Sequence, residues 1–521
     1  MKHVFLKFPS SRTFLALKDI SKVKNLKRNY IFFFDEKRLL KYFDVNLEEW
    51  NKKDFCFYAA PSDAGKEITK REGFFNICLC TSKEIIKFFR EVVFPTAGLS
   101  ERDDVDYIYL TEEDAKKSEI IEIPFEFNPL FFIQLGKKLI PVSFSPFSSF
   151  SKEIDKKFNG KQVLSFGNES KFTIAYLDKG KVIVTPNFGE LESLYQIDAM
   201  DLMVNSIMGH MRFKEIIVLK DFNNYSMITD YTRKFREVKS VSHIFSHMAN
   251  VLFDNKIFND KVIGIVYDSI SYDEGDQIRG SEILYGKLGN LKIAGGWKPV
   301  PLPGGDIANI EPWRIALAII KEVTGKDLNQ INLSLVQKLK NNKNYAYIFN
   351  AINDGNISYF LSSSMHHIVS ALGEILSYTE YTYDYEYFED LMDQFPEKRI
   401  ATDYYDIQIV EEDGILYANT CDLFKQVIED LSRELELMSL IHKIVSSIAI
   451  TTSSLICKMA QRYKQNKVCL AGQYFKHPHF LSFVSSELEK EGLEVLLPKE
   501  LPIDDSGVAI GQLLYYCHSQ G

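Results

Sequence analysis

The stretch Lys239–Asp268, KSVSHIFSHMANVLFDNKIFNDKVIGIVYD, contains one helical pattern followed by one strand pattern. Its first half repeats apolar residues at helical spacing, and the run KVIGIVYD has the length and apolar character of a buried strand. A second strand pattern, EIIVLKDF, precedes it in the chain. Strands that alternate with helices in this way indicate a layered α/β fold.

The helical half of this stretch carries two histidines, His243 and His247. Residues four apart share one face of a helix, so both imidazoles could reach one ion, and imidazole suits zinc or iron. Taken alone, such a pair is more simply two hydrogen-bonded histidines on a half-buried helix. A third ligand would favour a metal site.

Two aspartates are candidates for that ligand. Asp268 ends the strand KVIGIVYD, and ligand sites in α/β sheets usually lie at the carboxyl ends of strands. Asp505 lies in PIDDSGVAIGQ just before a helical run, where its plainer role is an N-cap, and Asp504 is its equal on composition.

Several glycines follow predicted strands or lie between apolar segments. Gly304 and Gly305 lie in PLPGGDIANIEPW, Gly472 follows the strand KVCLA, and Gly511 lies in VAIGQ. Each alone is typical of a turn. Together they favour a phosphate or nucleotide cleft, because glycine lets the backbone approach phosphates closely.

The composition excludes several classes of protein. The 521 residues suffice for two or three domains, 45% are hydrophobic, and the net charge is −9 without a dense basic stretch, so no nucleic-acid partner is predicted. We expect no membrane span and no secretory signal, which predicts a cytoplasmic protein. The seven cysteines contain no CxxC pair, which argues against a zinc finger.

A change of pattern near residue 150 suggests two domains. Strand patterns such as NYIFFF, DFCFYAA, FFNICLC and VDYIYL, together with the helical pattern SKEIIKFFREVV, predict an α/β module over residues 1–150. The segment PVSFSPFSSFSK breaks both periodicities and marks the boundary. A second domain over residues 151–521 follows, beginning with a three-stranded meander.

From about residue 160 onward, the motifs resemble those of the hydrogenase maturation carbamoyltransferase family, HypF, in the same order. The most specific is LPGGDIANIEPWRIALA, which is close to the family's LPGGDxAxxEPxRxALA. SHIFSHMAN resembles HHxAHxAS, and GIVYDSISYDEGDQIRGSE resembles GVAFDGTGYGDDGTIWGGE, which aligns Asp268 and Glu282. LPIDDSGVAIGQ resembles VPPNDGGIALGQ and favours Asp505 over Asp504, while Lys171 aligns with the family's opening lysine.

The resemblance implies a small, partial YrdC-like α/β module followed by a two-lobed TsaD-like domain of the actin/Hsp70-type nucleotide-binding fold. It implies a divalent metal, iron or zinc, and a nucleotide, ATP or carbamoyl adenylate. The implied metal ligands are His243, His247, Asp268 and Asp505. The implied catalytic residues are Asp268 and Lys171. The implied nucleotide contacts are Gly304, Gly305, Asp306, Glu282, Gly472 and Gly511.

The activity that the resemblance implies is ATP-dependent transfer of a carbamoyl group to the C-terminal cysteine of a HypE-like acceptor protein. The family's acylphosphatase domain and cysteine-rich zinc modules have no counterpart in this sequence. Its glycine-rich DGTGYG loop is DSISYD here, so Ser269, Ser271 and Asp273 replace glycines, and His366 and His367 replace a Gly-Arg pair. Two alternatives stay open: an inactive paralogue that acts as a binding or scaffold protein, and an O-carbamoyltransferase for a small-molecule hydroxyl, which ranks lower because its TsaD-like domain would come first.

Overall fold

The computed structural model divides the chain into two compact units. It describes short segments between residues 4 and 135, and then residues 138–146, 149–154, 162–191, 194–211, 216–275, 277–376, 403–433 and 435–520. The first unit comprises Met1–Lys220, Tyr225–Ser240 and Pro498–Cys517. The second unit comprises Asp221–Asn224, Val241–Leu497 and His518–Gly521. The predicted division into residues 1–150 and 151–521 stays a prediction.

The first unit begins with a nine-stranded mixed sheet. Its strands are β1 Val4–Lys7, β2 Thr13–Leu17, β3 Asn29–Phe33, β4 Phe55–Ala59, β5 Phe75–Leu79, β6 Tyr107–Glu112, β7 Glu119–Glu122, β8 Leu130–Leu135 and β9 Lys138–Phe144. They are arranged in the order β7-β1-β2-β6-β3-β5-β4-β8-β9. Ile31, Phe32 and Phe33 are consecutive and all buried, which indicates that both faces of β3 are covered. Four predicted strands are thereby confirmed, and the helix predicted for SKEIIKFFREVV lies outside the described residues.

A six-stranded sheet completes this unit. Its strands are β10 Phe150–Glu153, β11 Val163–Ser165, β12 Ala175–Asp178, β13 Lys181–Val184, β14 Ile217–Lys220 and β15 Glu237–Ser240, with helices α1 Leu194–Met211 and α2 Met227–Thr232. The order is β10-β13-β12-β11-β14-β15. The predicted meander is confirmed, because β11, β12 and β13 pair antiparallel in succession. β14 runs parallel to both β11 and β15.

The second unit is built on another nine-stranded sheet. Its strands are β16 Val262–Tyr272, β17 Ile278–Lys287, β18 Asn290–Trp297, β19 Val300–Pro303, β20 Tyr359–Ser362, β21 Ile409–Glu412, β22 Ile415–Ala418, β23 Lys467–Ala471 and β24 Glu494–Leu496. The main path is β21-β22-β18-β17-β16-β23-β24, and β20 pairs with β17 and β19. β16 contains the predicted strand KVIGIVYD and is buried from Val262 to Asp268, because it pairs on both sides and helices pack against it.

Most helices of the described chain belong to this second unit. They are α3 His243–Asp254, α4 Ile307–Ile310, α5 Trp313–Thr324, α6 Ser334–Lys340, α7 Ala346–Asn353, α8 Met365–Ile375, α9 Thr420–Leu431, α10 Leu437–Tyr463 and α11 Pro478–Lys490. By length and composition α10 could cross a membrane, with a mean hydropathy of 1.5. Its apolar window is 72% buried inside the protein, as in the core helix of a globular domain. The final helix, α12 Val508–Ser519, returns to the first unit over most of its length.

A buried hydrogen-bond chain fixes the end of β16. The indole Nε1 of Trp297 donates to the Tyr267 hydroxyl at 2.7 Å, and this hydroxyl lies 2.5 Å from the Thr452 hydroxyl on α10. Burial raises the pKa of Tyr267, so the phenol stays protonated. Because Tyr267 directly precedes Asp268, these hydrogen bonds fix the position of Asp268 relative to β18 and α10.

Gly472 is required by the close approach of two backbones. It has φ +95°, and a Cβ built there would lie 2.1 Å from the Tyr267 carbonyl oxygen. An L-residue rarely adopts such a φ, and the clashing atom belongs to the central strand and cannot move aside. The predicted contact of Gly472 with a nucleotide stays a prediction, but the fold alone accounts for this glycine.

We expect Gly472→Ala to destabilise the second unit by more than about 2 kcal/mol, because it combines a strained φ with backbone overlap. Urea unfolding followed by tryptophan fluorescence would measure the loss. Gly414→Ala is the matched control: Gly414 has φ +79°, but its Cβ would meet nothing within 4 Å. That variant should lose only about 1 kcal/mol. Equal losses in both variants would contradict the close-approach explanation.

Candidate functional site

Helix α3 places two buried imidazoles side by side. The helix begins at His243, and His247 follows one turn later on the same face. Their Nε2 atoms are 3.1 Å apart, and both side chains are about 1% exposed. The pairing expected from the helical spacing is therefore present.

The carboxylate of Asp268 completes a three-residue cluster. Its Oδ2 atom lies 2.8 Å from Nε2 of His243 and 3.3 Å from Nε2 of His247. The pairing of β16 with β17 is irregular between Tyr267 and Ser271, and an irregularity of this kind redirects side chains at the end of a strand. The Ser271 hydroxyl, near the end of β16, donates to the same Oδ2 at 2.9 Å and so supports the cluster.

Asp221, in the motif LKDFNNYS, is a member of the site to which the sequence analysis assigned no role. Its Oδ2 accepts a hydrogen bond from Nδ1 of His243 at 2.8 Å. Asp221 directly follows β14, and Asp268 is the last residue of the buried run of β16. The signal that could have found it is the same one: a carboxylate at the end of a buried strand.

The two carboxylates control the protonation of His243. Burial by itself would lower the pKa of this imidazole, but Asp268 and Asp221 outweigh that effect. Their negative charges and hydrogen bonds raise the pKa of His243 well above its usual value. The cluster therefore attracts positive charge.

The residues present fit a divalent transition metal. One ligand atom each from His243, His247 and Asp268 lies within 4.8 Å of the others. The separations of 2.8 to 3.3 Å compare with the spacing of about 3.3 Å expected between ligand atoms of a tetrahedral zinc ion. Imidazole nitrogen and carboxylate oxygen suit zinc or iron, and a carboxylate behind a ligating histidine is the usual outer partner in such sites.

Lys171, Asp504 and Asp505 lie in the first unit. Lys171 Nζ forms an ion pair with Asp504, and Asp505 Oδ2 accepts from Asn168 Nδ2 at 2.9 Å and from Ser170. Asp504, not Asp505, caps the following 3-10 turn Asp505–Gly507 by accepting from the amide of Ser506. The catalytic role of Lys171 and the metal-ligand role of Asp505 stay predictions.

Glu282 is buried in a pocket of donors within the second unit. Its Oε2 accepts from the backbone amides of Gly280 at 2.7 Å and Ser281 at 2.9 Å, and its Oε1 accepts from the Ser363 hydroxyl. The Arg279 guanidinium lies 3.8 Å from Oε1. Glu282 is thus held rigidly beside a positive charge.

Arg279 also lies close to Asp273, the acidic residue that replaces a glycine of the family's DGTGYG motif. Its Nε lies 3.7 Å from Oδ2 of Asp273. Asp273 therefore does not present an isolated negative charge. The sequence analysis did not single out Arg279, because the two side chains meet only when β16 and β17 pair.

The predicted glycines differ in their surroundings. Gly304 and Gly305 form a turn with φ +85° and +72°, next to the exposed Asp306, whose Oδ1 accepts from the Tyr272 hydroxyl at 3.3 Å. The helical run predicted after Asp505 is confirmed, and Gly511 lies inside it, in α12 of the first unit, rather than in a turn. Nucleotide contact by any of these residues stays a prediction.

His366 and His367 lie at the start of α8 and are buried. A hydroxyl–imidazole–amide chain runs through His367, with Ser362 Oγ 2.7 Å from Nδ1 and Asn309 Oδ1 2.6 Å from Nε2. Burial, and then the neighbouring His366, lower the pKa of His367 well below its usual value. The neutral ring donates to Asn309 and accepts from Ser362, so it joins α8 to α4.

Two family descriptions match adjoining parts of the chain. The HypF Kae1-like domain matches residues 158–254, and the second subdomain of the carbamoyltransferase Kae1-like domain matches residues 264–512. Their order along the chain is the order of the motifs in the sequence.

Two similar proteins are named as HypF carbamoyltransferases. Carbamoyltransferase HypF of Synechocystis sp. is 25% identical over 386 residues, which cover 68% of this chain and 47% of that protein. The probable carbamoyltransferase HypF of Methanocaldococcus jannaschii is 22% identical over 377 residues, which cover 70% of this chain and 47% of that protein. The chain spans about half the length of these relatives.

Solved structures confirm the predicted α/β fold class. Full-length HypF, crystallised in a phosphate- and nucleotide-bound form, gives a TM-score of 0.82 at 18% identity and covers 100% of this chain and 71% of that one. HypF of T. kodakarensis gives a TM-score of 0.76 at 15% identity and covers 100% of this chain and 72% of that one. From motifs, matched domains and fold together, the chain belongs to the HypF carbamoyltransferase family.

Proposed function

We propose that this protein is a HypF-like carbamoyltransferase, which uses ATP to transfer a carbamoyl group to the C-terminal cysteine of a HypE-like acceptor during nickel–iron hydrogenase maturation. The observation that carries the proposal is the buried cluster of His243, His247 and Asp268 in a unit whose relatives are named carbamoyltransferases. A cytoplasmic location goes with this role and is part of the proposal.

His243, His247 and Asp268 would hold the metal, and Asp505 is the proposed further ligand. When bound, a zinc or iron ion supplies Lewis acidity toward the carbonyl oxygen of a carbamoyl group. The protein's own contribution is to keep the cluster buried, to orient His243 through Asp221 and to hold Asp268 through Ser271. A cysteine thiolate is a strong nucleophile, so no dedicated base is required for the attack.

A nucleotide site in the second unit is the other half of the proposal. The similar HypF structure bound phosphate and nucleotide, which supports a nucleotide for this chain as well. The turn at Gly304 and Gly305 lacks side chains and has positive φ at both residues, and Arg279 supplies a partly exposed positive charge. We propose that Arg279 faces the phosphates, while Ser363 and the amides of Gly280 and Ser281 keep Glu282 fixed beside it.

An inactive scaffold protein is the second candidate function. Ser269, Ser271 and Asp273 replace glycines in the loop, and the Ser271 side chain is directed to Asp268. A loop filled by side chains leaves less space for phosphates than one made of glycines. This candidate predicts metal binding without nucleotide binding.

The first test is removal of one metal ligand. We expect His247→Ala to lower metal affinity by at least about 100-fold, because a first ligand contributes more than the 10- to 100-fold typical of outer partners. Metal content by plasma mass spectrometry and carbamoyl transfer to the acceptor should fall together. His442→Ala on α10, outside the cluster, is the control and should leave both unchanged. Full metal content in His247→Ala would refute the site.

The second test concerns the nucleotide. Calorimetry should show ATP binding by the metal-loaded protein, and Arg279→Gln should weaken it about tenfold through loss of a charge-assisted hydrogen bond. Arg433→Gln removes an exposed guanidinium that pairs with Asp430, and it should bind ATP as the unsubstituted protein does. If the unsubstituted protein fails to bind millimolar ATP, the scaffold candidate replaces the enzyme.

The third test uses the pH dependence of stability. Burial raises the pKa of Glu282 from 4.5 to about 7, and Arg279, Ser363 and the two amides offset only part of this effect. The folded protein therefore retains a proton that the unfolded chain releases between about pH 4.5 and 7, and the free energy of unfolding falls as pH rises through this window. Relative to Glu282→Gln, the fall should reach about 3 kcal/mol.

Urea unfolding of both proteins from pH 5 to pH 8 would measure this difference. Glu412→Gln is the control, because Glu412 forms an exposed ion pair with Lys298 and should leave the pH profile unchanged. A difference between unsubstituted protein and Glu282→Gln that does not vary with pH would contradict a raised pKa at Glu282.

A further inference from the structure

Each ring nitrogen of His243 has its own carboxylate partner. Nε2 points into the cluster, and Nδ1 donates to Asp221 Oδ2 at 2.8 Å. A histidine can bind a metal through Nε2 only when its single remaining proton lies on Nδ1. A hydrogen-bond acceptor at Nδ1 selects that tautomer.

Asp221 is itself held in place. It is 8% exposed, and its Oδ1 accepts from the amide of the next residue, Phe222, at 2.6 Å. One carboxylate oxygen is therefore fixed by the local backbone, which leaves the other directed at His243. An acceptor fixed in this way sets both the tautomer and the rotation of the imidazole ring.

We propose that Asp221 is the positioning residue of the metal centre: it presents Nε2 of His243 to the ion in the binding tautomer. This inference rests on the proposed metal site and adds a residue outside the set of ligands. Asp221 is not one of the proposed ligands, and its role in this inference is exerted through His243.

A purely structural role for Asp221 would have different consequences. The carboxylate lies at the start of α3, where a negative charge stabilises a helix by about 0.3 to 1 kcal/mol. If that were its whole role, removal would lower stability but leave the ring tautomer and the metal affinity unchanged. Two readouts are therefore needed, one of them independent of metal.

The experiment compares Asp221→Asn and Asp221→Ala with the unsubstituted full-length chain. Zinc affinity is measured by competition with a chromophoric chelator. The tautomer of His243 is read from ¹⁵N shifts in metal-free protein, assigned with His243→Gln, at an alkaline pH at which the ring is neutral. We expect Asp221→Ala to lose 10- to 100-fold in zinc affinity, as for other outer partners, and Asp221→Asn to lose less, since its amide oxygen still accepts from Nδ1. The His243 shifts should move toward the Nε2-protonated tautomer in Asp221→Ala.

Asp254→Asn is the matched control. Asp254 is a buried aspartate at the far end of the same helix, about 16 Å along the axis from His243. Its replacement should leave zinc affinity and the His243 shifts unchanged. Asp221→Glu, which restores a carboxylate, should recover part of the affinity lost in Asp221→Ala and covers the case in which the alanine variant does not fold.

Unchanged zinc affinity in Asp221→Ala, or unchanged His243 shifts, would overturn the inference, and so would an unsubstituted protein that binds no zinc. Failure of the proposed function is distinguishable from these results. A protein that binds zinc through Asp221-oriented His243 but transfers no carbamoyl group would refute the carbamoyltransferase and leave the inference intact.

Discussion

The site depends on one imidazole held between two carboxylates. His243 contacts Asp221 through one ring nitrogen and Asp268 through the other, each at 2.8 Å, in a part of the protein that excludes water. Burying two carboxylates and two imidazoles costs several kcal/mol, and their mutual attraction repays this only in good geometry. Apolar residues of the same volume would stabilise a fold at least as well, so stability does not explain the cluster. The proposed metal site would explain it.

The rest of the second unit keeps this cluster in register. Asp268 follows Tyr267, whose hydroxyl is fixed by Trp297 and Thr452 deep in the core. On the neighbouring strand, Gly472 lets the chain pass against the Tyr267 carbonyl, where any side chain would overlap it. The position of Tyr267 and Asp268 in β16 is therefore fixed by contacts with Trp297, Thr452 and Gly472. A ligand placed by rigid strands and helices is held more accurately than one carried on a loop.

The sequence predicted the parts of the site that follow from short-range periodicity. His243 and His247 share a helix face because of the 3.6-residue repeat, and Asp268 stands out because it ends an apolar run. The role of Asp221 was not predicted, because its partner lies 22 residues away and only the folded chain brings the two together. The pairing of Arg279 with Asp273 depends on strand register in the same way. The helix that contains Gly511 was predicted from the apolar pattern of its neighbours, and a single glycine does not interrupt it.

The substitutions that distinguish this chain from the family pattern are matched by partners. Asp273 adds a negative charge to the loop, and Arg279 on the adjacent strand lies 3.7 Å away to balance it. Ser271 fills space that a glycine would leave open, and its hydroxyl supports Asp268. His367 replaces a charged residue, and it is neutral with both ring nitrogens in hydrogen bonds. A buried charge or polar group without a partner is costly. The contacts of Asp273, Ser271 and His367 therefore favour a repacked site over a decayed one at these three positions.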